Sequence, residues 1–251
     1  MRTFGLIGKK LTHSFSKRYF TEKFEKENIP DTTYQLFELP TIEEFPLLIK
    51  SQPTLRGLNV TIPYKLEVLP FLNEIDAAAQ RIGAVNVIKV NEQGYLKGYN
   101  SDYYGFKESL VNFLSNGSSK PNLSNVKALI LGTGGASKAV KVALEDLEIN
   151  YSFVSRTPKN NLAYSELNRD ILSAYQLIIN TSPLGMYPQV NDCPEIPYHF
   201  LNNQHYLYDL VYNPETTLFM QKGLAQGASV INGLAMLYLQ AEKSWQIWNE
   251  A

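Results

Sequence analysis

Several stretches of this 251-residue chain combine side chains and backbone that could do chemistry. In GTGGASKAV, Gly132 and Gly134 take the first two places of a G-x-G-x-x-G turn, Thr133 fills the variable slot, and Ser137 stands where the third glycine would be. Gly132 permits the tight turn, Gly134 and Gly135 let the backbone approach a pyrophosphate, and the small Ala136 and Ser137 open a helix whose first N–H groups face the anion. The next strand pattern, YSFVSRT, ends about twenty residues later in Ser155, Arg156 and Thr157, where an NAD site would carry an Asp or Glu for the ribose hydroxyls. A guanidinium there can fork two hydrogen bonds onto a 2′-phosphate, with Lys159 and the two hydroxyls completing the pocket, which favours NADP over NAD. In HSFSKRYF, Ser16 is placed as a helix N-cap with Ser14 just ahead. Two hydroxyls beside the positive end of a helix would hold a carboxylate. Finally, NVTIPYK sets Lys65 where a strand gives way to a helix. Alone, such a lysine is solvated surface, so its meaning depends on what surrounds it.

The elements that would position these groups fall into two halves, separated near residues 101 to 125. There a helix-like segment from Gly105 to Leu114 gives way to NGSSKPNLSN, a surface-loop composition. In the first half the strand patterns FGLIG, TYQLFEL and GLNVTI alternate with the helix patterns SKRYFTEKFEKENI, TIEEFPLLIK and YKLEVLPFLNEI, an order that predicts parallel strands joined by right-handed crossovers. A hairpin follows, AVNVIKV and YLKGYN around NEQG, in which Asn91 and Gly94 suit a tight turn. The second half opens with VKALILG, a continuous apolar run typical of a strand covered on both faces, and YSFVS, YQLIIN, HYLYDLVY and ASVI repeat the pattern. Between them PLGMYPQVNDCPEIP is too proline-rich to be regular. Residues 234 to 248 close the chain as a helix with Leu234, Leu237, Ala241, Trp245 and Trp248 at a 3.6-residue period. The pattern is α/β, with a doubly wound second half and no internal repeat.

Composition narrows the function classes. Lys and Arg number 23 against 24 Asp and Glu, a net charge of −1, so no broad field exists to hold a nucleic-acid backbone or an anionic membrane. A small molecule is the expected partner. Cys193 is the only cysteine and the three histidines are scattered, so neither a disulfide nor a structural metal is expected. The opening MRTFGLIGKK lacks the apolar stretch of a signal peptide, which makes the cytoplasm the expected location. His13 beside the serine pair is read as locally bonded rather than catalytic, and Cys193 as inert.

Taken in order, HSFS, GLNVTIPYK, GAVN, GYNSD, GTGGAS, SRT and GLAMLYLQ resemble the shikimate dehydrogenase family over nearly the whole chain. The resemblance implies reversible NADP-linked reduction of 3-dehydroshikimate to shikimate, a step of chorismate and aromatic amino acid biosynthesis. It also implies two α/β domains around a cleft. The substrate domain would be residues 1–101, rejoined by 233–251, and the Rossmann-like NADP domain residues 102–232, in a monomer or homodimer. Residue by residue, it places Ser14 and Ser16 on the substrate carboxylate. Asn59, Thr61, Asn86, Asp102 and Gln240 surround the ring hydroxyls, Tyr212 reaches the carboxylate, and Leu210 and Gly233 border the nicotinamide. Ser101 stands where a threonine is frequent.

Under that resemblance Lys65 acquires a task. Hydride delivery to a ketone builds negative charge on the carbonyl oxygen, and a protonated lysine both stabilises that charge and supplies the proton. Asp102 would orient it. A dual quinate/shikimate dehydrogenase is the nearest alternative. A non-catalytic NADP-sensing module is the alternative from another class, and the presence of both Lys65 and Asp102 speaks against it. A folate oxidoreductase of similar plan would be expected to lack the serine pair.

Overall fold

The structure, a computed structural model, describes residues 1–12, 14–116 and 125–250. His13 and most of the loop expected at 116–125 lie outside the described residues. The chain divides into two compact units, one of residues 1–101 with 240–251, the other of residues 102–239.

The first unit contains β1 (Arg2–Gly8), α1 (Phe15–Lys26), β2 (Thr32–Glu38), α2 (Phe45–Ser51), β3 (Leu55–Val60), α3 (Tyr64–Glu67), β4 (Glu74–Ile75), α4 (Ala77–Ile82), β5 (Val87–Val90) and β6 (Leu96–Tyr99). Its six strands are ordered β2-β1-β3-β5-β6-β4. As the alternating pattern predicts, β2, β1 and β3 run parallel. The hairpin β5–β6 then adds on antiparallel to β3. Its turn is closed by Asn91, whose Oδ1 accepts from the N–H groups of Gln93 and Tyr95, while Gly94 takes φ +78°.

One expected element breaks up: YKLEVLPFLNEI is not a single helix but α3, a 3-10 turn at Leu69–Phe71 and the two-residue β4. Pro70 lacks an N–H and its ring crowds the preceding turn, so the helix cannot pass it. The helix α4 that follows was not anticipated. Asp76 caps it by accepting from the Ala78 N–H, and Gly83 ends it at φ +69°.

The second unit opens with α5 (Ser101–Asn116), of which only Ser101 belongs to the first unit, and the helix starts four residues earlier than the sequence pattern suggests. It contains β7 (Lys127–Leu131), α6 (Gly135–Asp146), β8 (Asn150–Ser155), β9 (Leu162–Ala163), α7 (Arg169–Ala174), β10 (Leu177–Asn180), β11 (Tyr206–Asp209), α8 (Leu218–Leu224) and β12 (Ser229–Ile231). All neighbouring strands are parallel, ordered β12-β11-β10-β7-β8-β9. The strand order reverses between β7 and β10, the place where doubly wound sheets bind nucleotides. One cluster containing Phe106, Ile130, Val140 and Tyr208 and another containing Leu129, Leu131, Ile178 and Phe219 cover the two faces, which explains the unbroken apolar runs.

The last helix, α9 (Leu234–Asn249), crosses the division between the units at Leu239 and Gln240. Its buried stripe differs from the apolar one read from the sequence. Leu234 is exposed, and the buried positions are Gln240, Ala241, Ser244, Ile247 and Trp248, so two polar side chains sit on the buried face. Trp248 packs against β3, where a Cβ on Gly57 would come within 2.3 Å of the indole, and its Nε1 donates to the Ile88 carbonyl at 3.1 Å. Phe4 stacks on the same indole with ring centroids 4.9 Å apart, and Phe20 stacks on Tyr34 at 4.8 Å. Among the described residues no helix is long and apolar enough to cross a membrane.

Candidate functional sites in the two units

Strand register brings the polar residues of the first unit to one end of the sheet. Asn59 pairs with Leu6 on one side and Val87 on the other, and Val87 pairs with Tyr99. Because β5 runs against β3, Asn86 just before β5 arrives beside Thr61 just after β3, and beside Asn100 and Ser101 just after β6. Backbone bonds lock this end: Val60 N–H donates to the Asn86 carbonyl at 2.9 Å, Asn86 N–H to Tyr99 at 3.0 Å, and Thr61 N–H to Ile7 at 3.0 Å. Thr61 packs its methyl against Gly8, where a Cβ would sit 2.7 Å from it. Lys65 lies on α3 immediately beyond, its carbonyl accepting from the Val85 N–H at 2.8 Å.

A buried chain of hydrogen bonds runs through these residues. The Tyr34 hydroxyl contacts Ser16 and donates to Asn59 Oδ1 at 2.7 Å. Asn59 Nδ2 donates to Ser244 Oγ at 3.1 Å, and Ser244 donates to the Gln240 carbonyl at 2.8 Å. Ser101 Oγ lies 3.2 Å from Ser244 Oγ and 3.3 Å from Gln240 Oε1, accepts from Asn86 Nδ2 at 3.1 Å, and its backbone N–H donates to Asn86 Oδ1 at 2.7 Å. Tyr34, Asn59, Asn86, Ser101, Gln240 and Ser244 are all buried. Burial raises the Tyr34 pKa against the smaller opposing effect of the Ser16 contact, so the phenol stays a neutral donor.

The serine pair needs one correction. Ser14, not Ser16, is the N-cap of α1: its backbone is extended (φ −115°, ψ 114°) and its Oγ accepts from the Lys17 N–H at 3.1 Å. Ser16 lies inside the first turn and faces Tyr34. Three members of the chain, Tyr34, Ser101 and Ser244, were not read as functional, and Ser101 was treated as a minor variation. The signal available for Ser244 was its place four residues after Gln240 on the same helical face.

In the second unit, a cleft of about 640 Å³ opens over the carboxyl ends of β7, β8 and β10. It is lined by Gly132, Thr133, Ser155, Arg156, Thr157 and Ser182, among others. Gly132 turns at φ +103°, a conformation that favours glycine, and its N–H donates to the Val154 carbonyl at 2.9 Å. Gly134 caps α6, and a Cβ at Gly134 or Gly135 would meet nothing within 4 Å, so open space lies over the turn and the helix N-terminus. That surface fits a pyrophosphate. Ala136 is exposed beside it, while Ser137 is buried and donates to the Gly134 carbonyl at 2.7 Å, tightening the turn in place of the third glycine. Arg156 is exposed at the rim, and its charge opposes the larger effect of burial, which raises the pKa of Tyr164, another residue lining the cleft. Ser155 Oγ accepts from the Thr157 N–H at 3.3 Å. Lys159 is exposed and is not among the residues that line the cleft.

Leu210 and Gly233 adjoin directly: a Cβ on Gly233 would lie 2.1 Å from the Leu210 carbonyl oxygen, and the Gly233 N–H donates to Val211 at 3.1 Å. Asp102, in the first turn of α5, and Tyr212, exposed after β11, belong to this second unit.

Residues 6–88 match the model of the shikimate dehydrogenase substrate binding domain. A shikimate dehydrogenase (NADP(+)) of Clostridium beijerinckii is 41% identical over 100% of this chain and 93% of its own. Among solved structures, a chorismate mutase/shikimate 5-dehydrogenase fusion protein from Clostridium acetobutylicum is 36% identical, covering 99% of this chain and 91% of that one with a TM-score of 0.83. Shikimate 5-dehydrogenase from Thermus thermophilus, in complex with NADP(H) and shikimate, is 28% identical, with coverage of 99% and 94% and a TM-score of 0.81.

Proposed function

This chain belongs to the shikimate dehydrogenase family, and from that membership we propose that it is the NADP-dependent enzyme interconverting 3-dehydroshikimate and shikimate. The observation that carries the reading within the molecule is the hydrogen-bond chain that starts at half-buried Ser16 and runs through the buried Tyr34, Asn59, Ser244 and Ser101 to Gln240, which assembles polar side chains of five separate segments at one end of the sheet. Burying so many polar groups serves a core poorly. It serves recognition of a small polyol acid well, because each group is held at a set place by its neighbour.

In this reading Ser14 and Ser16, at the start of α1, take the carboxylate, aided by Tyr212. Asn59, Thr61, Asn86, Asp102 and Gln240 take the ring hydroxyls. The glycine turn Gly132–Ala136 holds the pyrophosphate. Arg156 holds the 2′-phosphate with Ser155 and Thr157, Lys159 lying outside the cleft lining, and Leu210 and Gly233 border the nicotinamide. The first unit is then the substrate domain and the second the cofactor domain, acting in the cytoplasm as a monomer or homodimer.

NADPH, when bound, supplies the hydride. Lys65, as the ammonium, stabilises the charge that develops on the carbonyl oxygen, gives that oxygen its proton and is left as the amine. In oxidation the amine takes the hydroxyl proton back. Asp102 orients Lys65 and accepts a hydrogen bond from the neighbouring substrate hydroxyl. Following NADPH formation spectrophotometrically with shikimate and quinate, each paired with NADP and NAD, tests the assignment. We expect the shikimate and NADP pair to have the highest kcat/KM. Comparable turnover of quinate would move the chain to the dual-specificity reading, and no turnover of either acid would overturn both.

A further inference from the structure

Asp209 closes β11, the strand that leads to the nicotinamide-bordering Leu210, and its side chain is 0% exposed. Three donors converge on it. Oδ1 accepts from the Val211 N–H at 3.0 Å and from Asn180 Nδ2 at 2.9 Å, and Oδ2 accepts from Thr217 Oγ1 at 2.6 Å. Asn180, equally buried and paired in register with Asp209, in turn accepts at its Oδ1 from the N–H and hydroxyl of Ser182 at 3.0 and 2.7 Å. Thr217 caps α8 by accepting from the Met220 N–H at 3.3 Å. Among the described residues no cation pairs with Asp209.

These bonds reach the parts of the second unit that the cofactor reading uses. Ser182 lines the dinucleotide cleft on the turn after β10, and Leu218 and Lys222 line it from α8. Val211, held through its N–H by Asp209, accepts from Gly233. Three converging donors call for a group that only accepts, which a carboxylate is and an amide is not. We propose that Asp209 is a positioning residue for the dinucleotide: without touching it, the carboxylate holds the Asn180–Ser182 turn, the Val211 backbone and the start of α8 in the arrangement that NADP(H) binds. The proposal rests on the cofactor assignment above.

Charge is what makes this testable. Burial raises the Asp209 pKa to about 6, with the bonds from Thr217, Val211 and Asn180 acting in the opposite direction. Of the titratable groups nearby, Tyr198 feels its charge but is kept neutral by burial, and Lys222 is directed to Cys193 Sγ at 3.2 Å. Protonation near pH 6 would remove the charge that strengthens all three bonds, and an O–H on Oδ2 would turn the Thr217 bond round, the carboxyl then donating to Oγ1. The sign separates this from unfolding. A raised carboxyl pKa contributes stability below the unfolded value near 3.8 that is lost as pH rises through about 6, so acidification through that window favours the fold while loosening the cleft.

The test is calorimetric titration of NADPH between pH 5 and 8 into the wild type, Asp209→Asn and Thr217→Val. The 2′-phosphate of NADPH titrates in the same range, so the comparison between proteins carries the result. Asp209→Asn is expected to bind NADPH roughly three- to tenfold more weakly at pH 7.5, with the gap to wild type closing at pH 5 and the KM for shikimate within about twofold. Thr217→Val removes a bond that favours the carboxylate, so its affinity should start to fall at a higher pH than in the wild type, and Thr217→Ser should restore the wild-type profile. If Asp209→Asn does not fold, the Thr217 pair decides. Unchanged NADPH affinity in the variants, or parallel loss of both ligands at all pH values, overturns the proposal. Failure of the wild type to bind NADPH at all would instead overturn the cofactor reading.

Discussion

Replacing Ser244 by alanine tests whether the buried hydrogen-bond chain positions the substrate groups. Ser244 is 0% exposed, accepts from Asn59 Nδ2 and donates to the Gln240 carbonyl, which a helix interior already satisfies. Ser101 keeps Gln240 Oε1 as an alternative acceptor at 3.3 Å. The variant therefore leaves one buried donor, Asn59 Nδ2, without its partner, at a cost of about 1–3 kcal/mol. Alanine's better helix propensity returns about 0.5 kcal/mol, so a net loss of about 0.5–2.5 kcal/mol is expected. For a unit of about a hundred residues the middle of that range, about 1.5 kcal/mol, lowers the melting temperature by roughly 6–12 °C. The functional effect is separate. Asn59 would be held only by Tyr34, and we expect the KM for shikimate to rise roughly tenfold, the equivalent of about 1.4 kcal/mol, with the KM for NADPH within about twofold. Because Tyr34→Phe removes the other anchor of the same amide, the double variant should be non-additive by about 0.5 kcal/mol or more. Thermal melts of the apo protein and initial-rate kinetics measure both effects. A melting temperature within about 2 °C of wild type together with an unchanged shikimate KM would refute the reasoning.

Three further outcomes are expected. Lys65→Ala should lower kcat by roughly 10² to 10⁴ while NADPH still binds, and a purified variant that turns over at near-normal rate would end the acid–base assignment. Arg156→Ala should raise the KM for NADP by roughly tenfold or more and leave that for NAD nearly unchanged, and steady-state kinetics with both cofactors would expose an equal loss in each as evidence against the 2′-phosphate contact. Gly233→Ala puts a Cβ 2.1 Å from a backbone oxygen that cannot swing aside, so the Leu210–Gly233 contact must part and cofactor affinity must fall. Wild-type NADPH affinity in that variant, measured by fluorescence titration, would remove both residues from the nicotinamide border.

Much of this was legible because its physics is local. Continuous apolar runs such as KALIL and LIIN belong to strands buried on both faces, and β7 and β10 are such strands. The glycine turn is legible because Gly132 needs a left-handed φ and Gly134 and Gly135 need open space above them. The failures are of another kind. The segment from Tyr64 to Ile75 has the apolar content of a helix, but Pro70 stops it, and the two-residue β4 exists only because β6 is there to pair with it. Asp209 ends YLYD as any strand-terminal acid might, and nothing in the sequence says that Asn180 and Thr217, 29 and 8 residues away, converge on it.

The polar chain of the first unit shows why such residues escape a pattern-based reading and what they accomplish together. On α9, Gln240 and Ser244 share a face with Trp248, so periodicity marks them only as interruptions of an apolar stripe. Their meaning comes from proton bookkeeping across strands that are distant in sequence. Asn59 Oδ1 is taken by the Tyr34 hydroxyl, Asn86 Oδ1 by the Ser101 N–H, and Gln240 Oε1 lies in reach of the Ser101 hydroxyl. These bonds fix the orientation of the asparagine amides, and each amide nitrogen keeps one further N–H beyond the one given to Ser244 or Ser101. A polyol, however, brings hydroxyls that must donate as well as accept. In the proposed site a carboxylate, which only accepts, meets that need better than another amide would, and Asp102 is such a group.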